Sequence, residues 1–167
     1  MGNALCTDEE IIKTYKKYSD MVYRIAFLIL NNRTEAEDTL QNVFLKFIKL
    51  KNKNFESDEH MKAWLIVTTK NTAKDIVKSF WRSRTVSIDN VIESTYSEKF
   101  GINNDIYSAV MSLKDKYRIP LYLHYFEGYK SEEISKILSI NHSTIRSQLR
   151  TARQKLKLMI EEGNDNE

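Results

Sequence analysis

Everything else turns on the stretch SEEISKILSINHSTIRSQLR, Ser131 to Arg150. Ile134, Ile137, Leu138 and Ile140 carry one short apolar helix face, the pattern breaks near Asn141, and a second periodic run starts at His142. In that second run Ile145, Leu149, Ala152 and Leu156 fall at i, i+4, i+7 and i+11, so they share a wall able to bury the angle between two helices. Arg146, Arg150, Arg153 and Lys157 repeat the spacing one residue later, about 100° round the axis. From His142 to Lys157 there are five basic residues, Lys155 being the fifth, and no acidic one. A helix with one wall in the core and a cationic wall outside suits the major groove of DNA. Its first turns (His142, Ser143, Thr144, Arg146, Ser147) reach base edges and its later cations reach phosphates. Gln148 and Arg146 are the types that pair bidentately with adenine and guanine. A cationic face is also what a merely solvated helix shows. The helix–turn–helix spacing and the missing acids favour DNA, and binding of that kind weakens steeply with salt.

Outward from this segment, charge is unevenly spread. Residues 1–78 carry a net +2, residues 79–112 carry −1, residues 113–160 carry +6 and the ending EEGNDNE carries −4. Toward the N-terminus, Thr7 and Glu10 have capping-box spacing, and Ile11, Tyr15, Tyr18, Val22, Ile25 and Ile29 predict a helix from about Asp8 to Leu30. Asn31-Asn32 breaks it. Thr34 and Glu37 predict a second capping box. Ala36, Leu40, Val43, Phe44, Phe47 and Ile48 then form an apolar face to about Leu50. After the loop-like KNKNFESDEH, with Ser57 or Asp58 as N-cap, a third helix is expected from about Glu59 to Phe80. Met61, Trp64, Leu65, Thr68 and Ile76 lie along one side of it; Lys70, Asn71, Lys74 and Lys78 line another. Residues rich in Ser, Asn and Glu follow without periodicity and read as a linker. Ile106, Val110, Leu113 and Tyr117 open a second helical group, in which Pro120 sits early in a helix and Gly128 ends it. Tyr122, Tyr125, Phe126 and Tyr129 are expected as its small core.

The fold class is therefore all-α: two small helical domains joined by a flexible linker, the C-terminal one containing the helix–turn–helix. The expected boundaries are 1–80 and 104–160, with a linker at 81–103 and an acidic tail at 161–167. Several classes are excluded. A single cysteine, Cys6, permits no internal disulfide and suits a reducing cytosol. The most apolar run, MVYRIAFLIL, is too short to span a bilayer and contains Arg24, so no membrane insertion and a cytoplasmic location are expected. MGNALC has Cys6 where a myristoylation motif wants Ser or Thr. His60, His124 and His142 make no metal-ligand pattern, and no phosphate-cradling glycine loop, nucleophile elbow or HExxH is present. No catalytic residue, metal or cofactor is expected, and the protein does not read as an enzyme.

Three runs in this order, YRIAFLILNNRTEAEDTLQNVFLKF (23–47), MKAWLIVTTKNTAKDIVKS (61–79) and SLKDKYRIPLYLHYFEGYKSEEISKILSINHSTIRSQLRTARQKL (112–156), resemble the extracytoplasmic-function sigma factors. These are the small promoter-recognition subunits of bacterial RNA polymerase, and the resemblance runs from about Tyr15 to Met159. It implies that the second helix, around Asp38, Gln41, Asn42 and Phe44, binds the clamp helices of the largest polymerase subunit. It implies that Phe55, Ser57 and His60 lie in a loop capturing a base of the melted −10 element, with Lys70, Asn71, Lys74 and Lys78 along the DNA path. A flipped base needs polar edges and a stacking surface, which that loop offers. The helix His142–Leu158 would read the −35 element and the C-terminal domain would dock on the β flap. An anti-sigma factor is the further partner implied.

The sequence departs from the family pattern at several positions. Asn42 replaces a usual Glu, Lys114 a frequent proline and Ser139 a turn glycine, while Gln148 and Thr151 stand where arginine is common. Ser139 is tolerable if the turn avoids a positive φ or accepts strain. Roughly 22 linker residues relax to about 25 Å and stretch to about 75 Å, against elements about 50 Å apart, so the linker must run extended. Trp64 reads as core rather than as a DNA-stacking ring, and Phe55 has the simpler alternative of covering its loop. The rival from another class is a helix–turn–helix repressor or activator that binds duplex DNA without being a polymerase subunit. Such proteins dimerise on palindromes, and no dimerising coiled coil is evident.

Overall fold

The computed structural model describes residues 7–50, 55–83 and 104–164, which form seven helices and no strand. They fall into two compact units, the first built from α1 (Asp8–Leu30), α2 (Arg33–Lys49) and α3 (Asp58–Ser83). The capping box at Thr7 forms: its hydroxyl accepts from the Glu10 N–H at 3.3 Å, and the Glu10 carboxylate accepts from the Thr7 N–H at 3.0 Å. Asn31 ends α1 in the left-handed region (φ 48°), which a short polar side chain tolerates. Asn32 then caps α2, accepting from the Glu35 N–H at 3.0 Å. The box expected at Thr34 is thus replaced by a cap two residues earlier. With only two residues between the helices, the second one already sits at the cap position, and Thr34 falls in the first turn.

The core of this unit is Val22, Ile25, Ala26, Val43, Phe47, Leu65 and Ile66, with buried threonines between them. Three of those threonines satisfy themselves by bonding back to the carbonyl four residues earlier: Thr14 to Glu10, Thr39 to Glu35 and Thr69 to Leu65, at 2.8, 2.8 and 2.6 Å. Thr72 accepts from Lys46 Nζ at 2.9 Å and so ties α2 to α3. The wall that α3 buries is Leu65, Ile66, Thr69, Thr72 and Ala73; of the side expected from the sequence, Met61, Trp64, Thr68 and Ile76 are only half-buried. Packing against both α1 and α2 rotates the buried wall away from that line. Ile48, expected in the core, is exposed.

Ser57 caps α3, accepting from the His60 N–H at 3.1 Å. Asp58, the first residue of α3, accepts from Lys17 Nζ and from the Tyr18 hydroxyl, both at 2.6 Å, and pins the helix start to α1. The ammonium and the phenol hold the Asp58 carboxyl below its ordinary range, and Asp58 in turn raises Lys17. Burial, helped by the bond to Asp58, pushes Tyr18 up to about 12. The helix runs to Ser83, so residues 81–83 extend α3 rather than begin the linker. The rest of the expected linker, the N-terminal MGNALC and the last three residues lie outside the described residues.

The second unit holds α4 (Asn104–Ser112), α5 (Asp115–Tyr125), α6 (Ser131–Leu138) and α7 (His142–Asn164). Tyr107, Leu113, Leu121, Leu123, Ile134, Ile145, Leu149 and Ala152 are buried within it. Tyr122 and Tyr129 join this core, but Tyr125 and Phe126 do not, because α5 ends there and both side chains point outward; Phe126 stacks on Tyr122 with ring centroids 5.4 Å apart. Ile106 is likewise exposed, and Tyr107 takes the buried position beside it. Gly128 follows α5 at φ 76°. Ser139 caps α6 at φ 52° and ψ 43°, so this turn does adopt the left-handed conformation without a glycine. Helix α7 continues past Ile160 to Asn164, making Glu161 and Glu162 its last turns rather than a separate tail; Glu161 lies 3.9 Å from Lys157, four residues back. Among the described residues no helix is long and apolar enough to cross a membrane.

Candidate nucleic-acid interface

Helix α7 presents its two walls as its spacing requires. Ile145, Leu149 and Ala152 are buried against α5 and α6, while His142, Ser143, Thr144, Arg146, Ser147, Arg150, Arg153 and Lys157 are exposed. The start of the helix is built by Asn141, whose side-chain oxygen accepts from the Ser143 N–H at 3.1 Å and the Ser143 hydroxyl at 3.0 Å. His142 Nε2 lies 2.9 Å from the Ser131 hydroxyl, which joins the starts of α6 and α7. Arg146 and Arg150 have no partner among the described residues and stand ready for an external anion. The later cations are partly engaged. Arg153 donates to the Tyr125 hydroxyl at 3.5 Å, Lys155 sits 5.2 Å from the Tyr117 ring centroid, and Lys157 has Glu161. These are exposed contacts worth little each, so DNA can outcompete them.

Gln148 differs from its neighbours. It is half-buried, and its side-chain oxygen is enclosed without a partner at a cleft of about 380 Å³ shared with Lys116, Tyr117, Ser143, Thr144, Ser147 and Thr151. Reading an adenine edge requires it to swing out. Lys116, which the sequence reading passed over, adds a cation from α5 to the same edge.

In the first unit Phe55, Ser57 and His60 do come together in the turn before α3. The Phe55 ring lies 6.3 Å from Phe47, 6.0 Å from Trp64 and 5.4 Å from the His60 ring. Trp64 packs 6.1 Å from Phe47 but is half-buried, so it borders the core rather than filling it. Ser57 is engaged as the helix cap, and His60 Nδ1 accepts from the Glu56 N–H at 3.3 Å. The loop is therefore a self-packed turn. Lys70, Asn71, Lys74 and Lys78 begin about 15 Å further along α3. Asn71, Lys74 and Lys78 are exposed and Lys70 is half-buried; its burial, with Lys74 beside it, lowers the Lys70 pKa.

On α2, Asp38, Gln41 and Asn42 are exposed on one face. Phe44 is not on that face. It is 4% exposed, edge-on to Tyr15 at 4.8 Å and 6.1 Å from Phe47, because it lies about 60° further round than Gln41, toward α1. Leu45 and Ile48 do share the outer face, at 49% and 46% exposure, and with Ile12, Tyr15 and Gln41 they edge an apolar groove floored by Phe44. The signal for Leu45 was present in the sequence: it stands i+4 from Gln41.

Two helical units, one carrying a helix–turn–helix whose exposed wall holds two arginines without a partner among the described residues, define a DNA-binding architecture. Comparison with known proteins narrows the class. Residues 14–85 match the Sigma-70 region 2 family and residues 103–156 match Sigma-70, region 4. The chain is 30% identical over 139 residues to the RNA polymerase sigma factor SigV of Bacillus subtilis, covering 82% of this chain and 81% of that one. It is 28% identical over 167 residues to the ECF RNA polymerase sigma factor SigM of the same organism, covering 94% and 99%. A crystal structure of the sigma factor RpoE, in complex with the anti-sigma factor NepR from Bartonella quintana, shares the fold with a TM-score of 0.68 at 20% identity, over 92% of this chain and 98% of that one. The chain belongs to the extracytoplasmic-function RNA polymerase sigma factors. It is a transcription initiation factor and not an enzyme, and a free-standing repressor is not favoured.

Proposed function

We propose that this protein binds core RNA polymerase through the outer face of α2, reads a −35 element with α7 and holds a melted −10 strand along α3. The observation that carries the proposal is the pair Arg146 and Arg150, without a partner among the described residues, on the outer wall of a helix whose inner Ile145, Leu149 and Ala152 are buried. His142, Ser143, Thr144, Ser147 and Gln148 supply polar edges around them, and Arg153 and Lys157 supply phosphate contacts. On α2 the contact set is Asp38, Gln41 and Asn42 with Leu45 added; Phe44 acts from beneath as the packing that orients them. On α3, Lys70, Asn71, Lys74 and Lys78 follow the strand. A base enters beside Phe55, Ser57 and His60 by opening the ring cluster, so capture competes with the contacts Phe55 makes to Phe47 and Trp64.

The division into residues 1–80 and 104–160 with a joining segment belongs to the same proposal, as do docking of the C-terminal unit on the β flap and restraint by an anti-sigma factor. The complex of RpoE with NepR supports the last of these. The test is run-off transcription with purified core enzyme on genomic fragments. A defined start site appearing only when both are present supports the reading. Tight binding to a symmetric duplex as a dimer, with no effect on core enzyme, refutes it.

A further inference from the structure

Trp81 is 73% exposed near the end of α3, the largest exposure of any large apolar side chain described. It has no ring, hydrogen-bond or cation contact among the described residues. Its position is not arbitrary. On an α-helix Lys70, Lys74 and Lys78 span an arc of about 80°, and Trp81 falls about 20° from Lys70, inside that arc. The four side chains thus form one stripe about 16 Å long, with the indole at its end. Asp75, the acid nearest in sequence, lies about 140° from Lys70 and off the stripe. Phe80 sits on a different face, about 80° the other way.

A single exposed indole is ordinary by itself; what sets this one apart is its place at the end of a cationic stripe. Along the stripe the exposed companions of Trp81 are cations, which select a polyanion, while Val77 is half-buried and Phe80 lies on the adjoining face. Duplex DNA hides its base faces, so a flat ring at the end of a phosphate-tracking stripe matches unpaired nucleotides. We propose that Trp81 is a stacking platform for an unpaired base, terminating the single-strand track that Lys70, Lys74 and Lys78 line. The inference rests on the polymerase-bound reading above, in which α3 meets melted promoter.

The test uses full-length protein assembled with core polymerase. Binding is measured to a promoter fork carrying an unpaired non-template strand and to the same promoter kept fully paired at low temperature. Trp81→Ala is expected to weaken fork binding about tenfold and paired-duplex binding less than about twofold, with Trp81→Tyr within about threefold of the unsubstituted protein. The melting temperature and the assembly with core enzyme should not move. Equal losses on both probes, no loss on the fork, loss of assembly with core, or a lowered melting temperature would each overturn the assignment. Failure of the unsubstituted chain to join core enzyme at all would instead sink the polymerase reading, so the two failures are distinguishable.

Discussion

Ser139→Gly should stabilise the C-terminal unit. Ser139 holds φ 52° and ψ 43° at the end of α6, and its exposed side chain makes no hydrogen bond among the described residues. The turn is fixed by the backbone: the Ile140 N–H donates to the Ser135 carbonyl at 3.1 Å, and the Ser135 hydroxyl donates to the Ile140 carbonyl at 2.6 Å. None of these groups is removed by the substitution. Placing an L-residue in the left-handed region costs roughly 1–2 kcal/mol, which glycine recovers. Against that, glycine adds about 0.4–1 kcal/mol of unfolded-chain entropy. The net gain is about 0.5–1 kcal/mol, or roughly 2–8 °C in the transition of a unit this size. Gly128→Ala is the mirror experiment. Gly128 has φ 76° and nothing within 4 Å of an added Cβ, so backbone strain less the same entropy gain leaves an expected loss of about 0.5–1 kcal/mol. Calorimetry on the full chain measures both. A lower transition for Ser139→Gly, or no change for Gly128→Ala, refutes the strain argument.

Phe44→Ala should cost about 3–5 kcal/mol of stability because the ring is core. Leu45→Glu should leave the melting temperature nearly unchanged and abolish co-elution with core polymerase, and a normal co-elution would remove Leu45 from that face. Tyr18 makes the N-terminal unit alkali-sensitive. Its folded pKa is about 12 against an ordinary 10.0, so its contribution is complete below pH 10 and is lost as pH rises from 10 to 12. Asp58 acts at the other end: its depressed pKa gives stability present above about pH 4 and lost on further acidification, and Asp58→Asn should flatten that acid limb in urea titrations at several pH values. Arg146→Ala should lose about 1–3 kcal/mol at one −35 base pair and much less on sites altered there. A loss uniform over all sequences would make Arg146 a phosphate contact.

Strong periodicity made the helices legible. The bounds of α1 and the two walls of α7 follow from spacing alone, since i, i+4, i+7 fixes an angle before any packing is known. The faces of α2 and α3 were less legible. A helix wedged between two others buries a wall set by both neighbours, and sequence cannot say how far that turns Phe44 inward or Ile48 outward. Asn32 displaced Thr34 as a cap because inter-helix spacing, not residue type, chose the position. Tyr125 and Phe126 have helical spacing with Tyr122, yet the spacing stops meaning anything where α5 ends. Phe55, Ser57 and His60 could be placed in one loop from the sequence, but the ring packing there depends on Phe47, eight residues away across a turn.

Helix α7 is one uninterrupted rod of 23 residues, about 34 Å from end to end. Its first turns touch α6, while near its far end Met159 meets Ser112 of α4 at 3.2 Å and Leu158 lies bare to solvent. Rods do not absorb tilt. A protein that grips the distal turns and shifts them must swing the first turns as well, and DNA seated on those first turns, as proposed, must resist such a grip by the same free energy. Whatever competes with DNA for this subunit therefore has no need to touch Arg146 or Arg150; leverage on the other end of the same helix is enough.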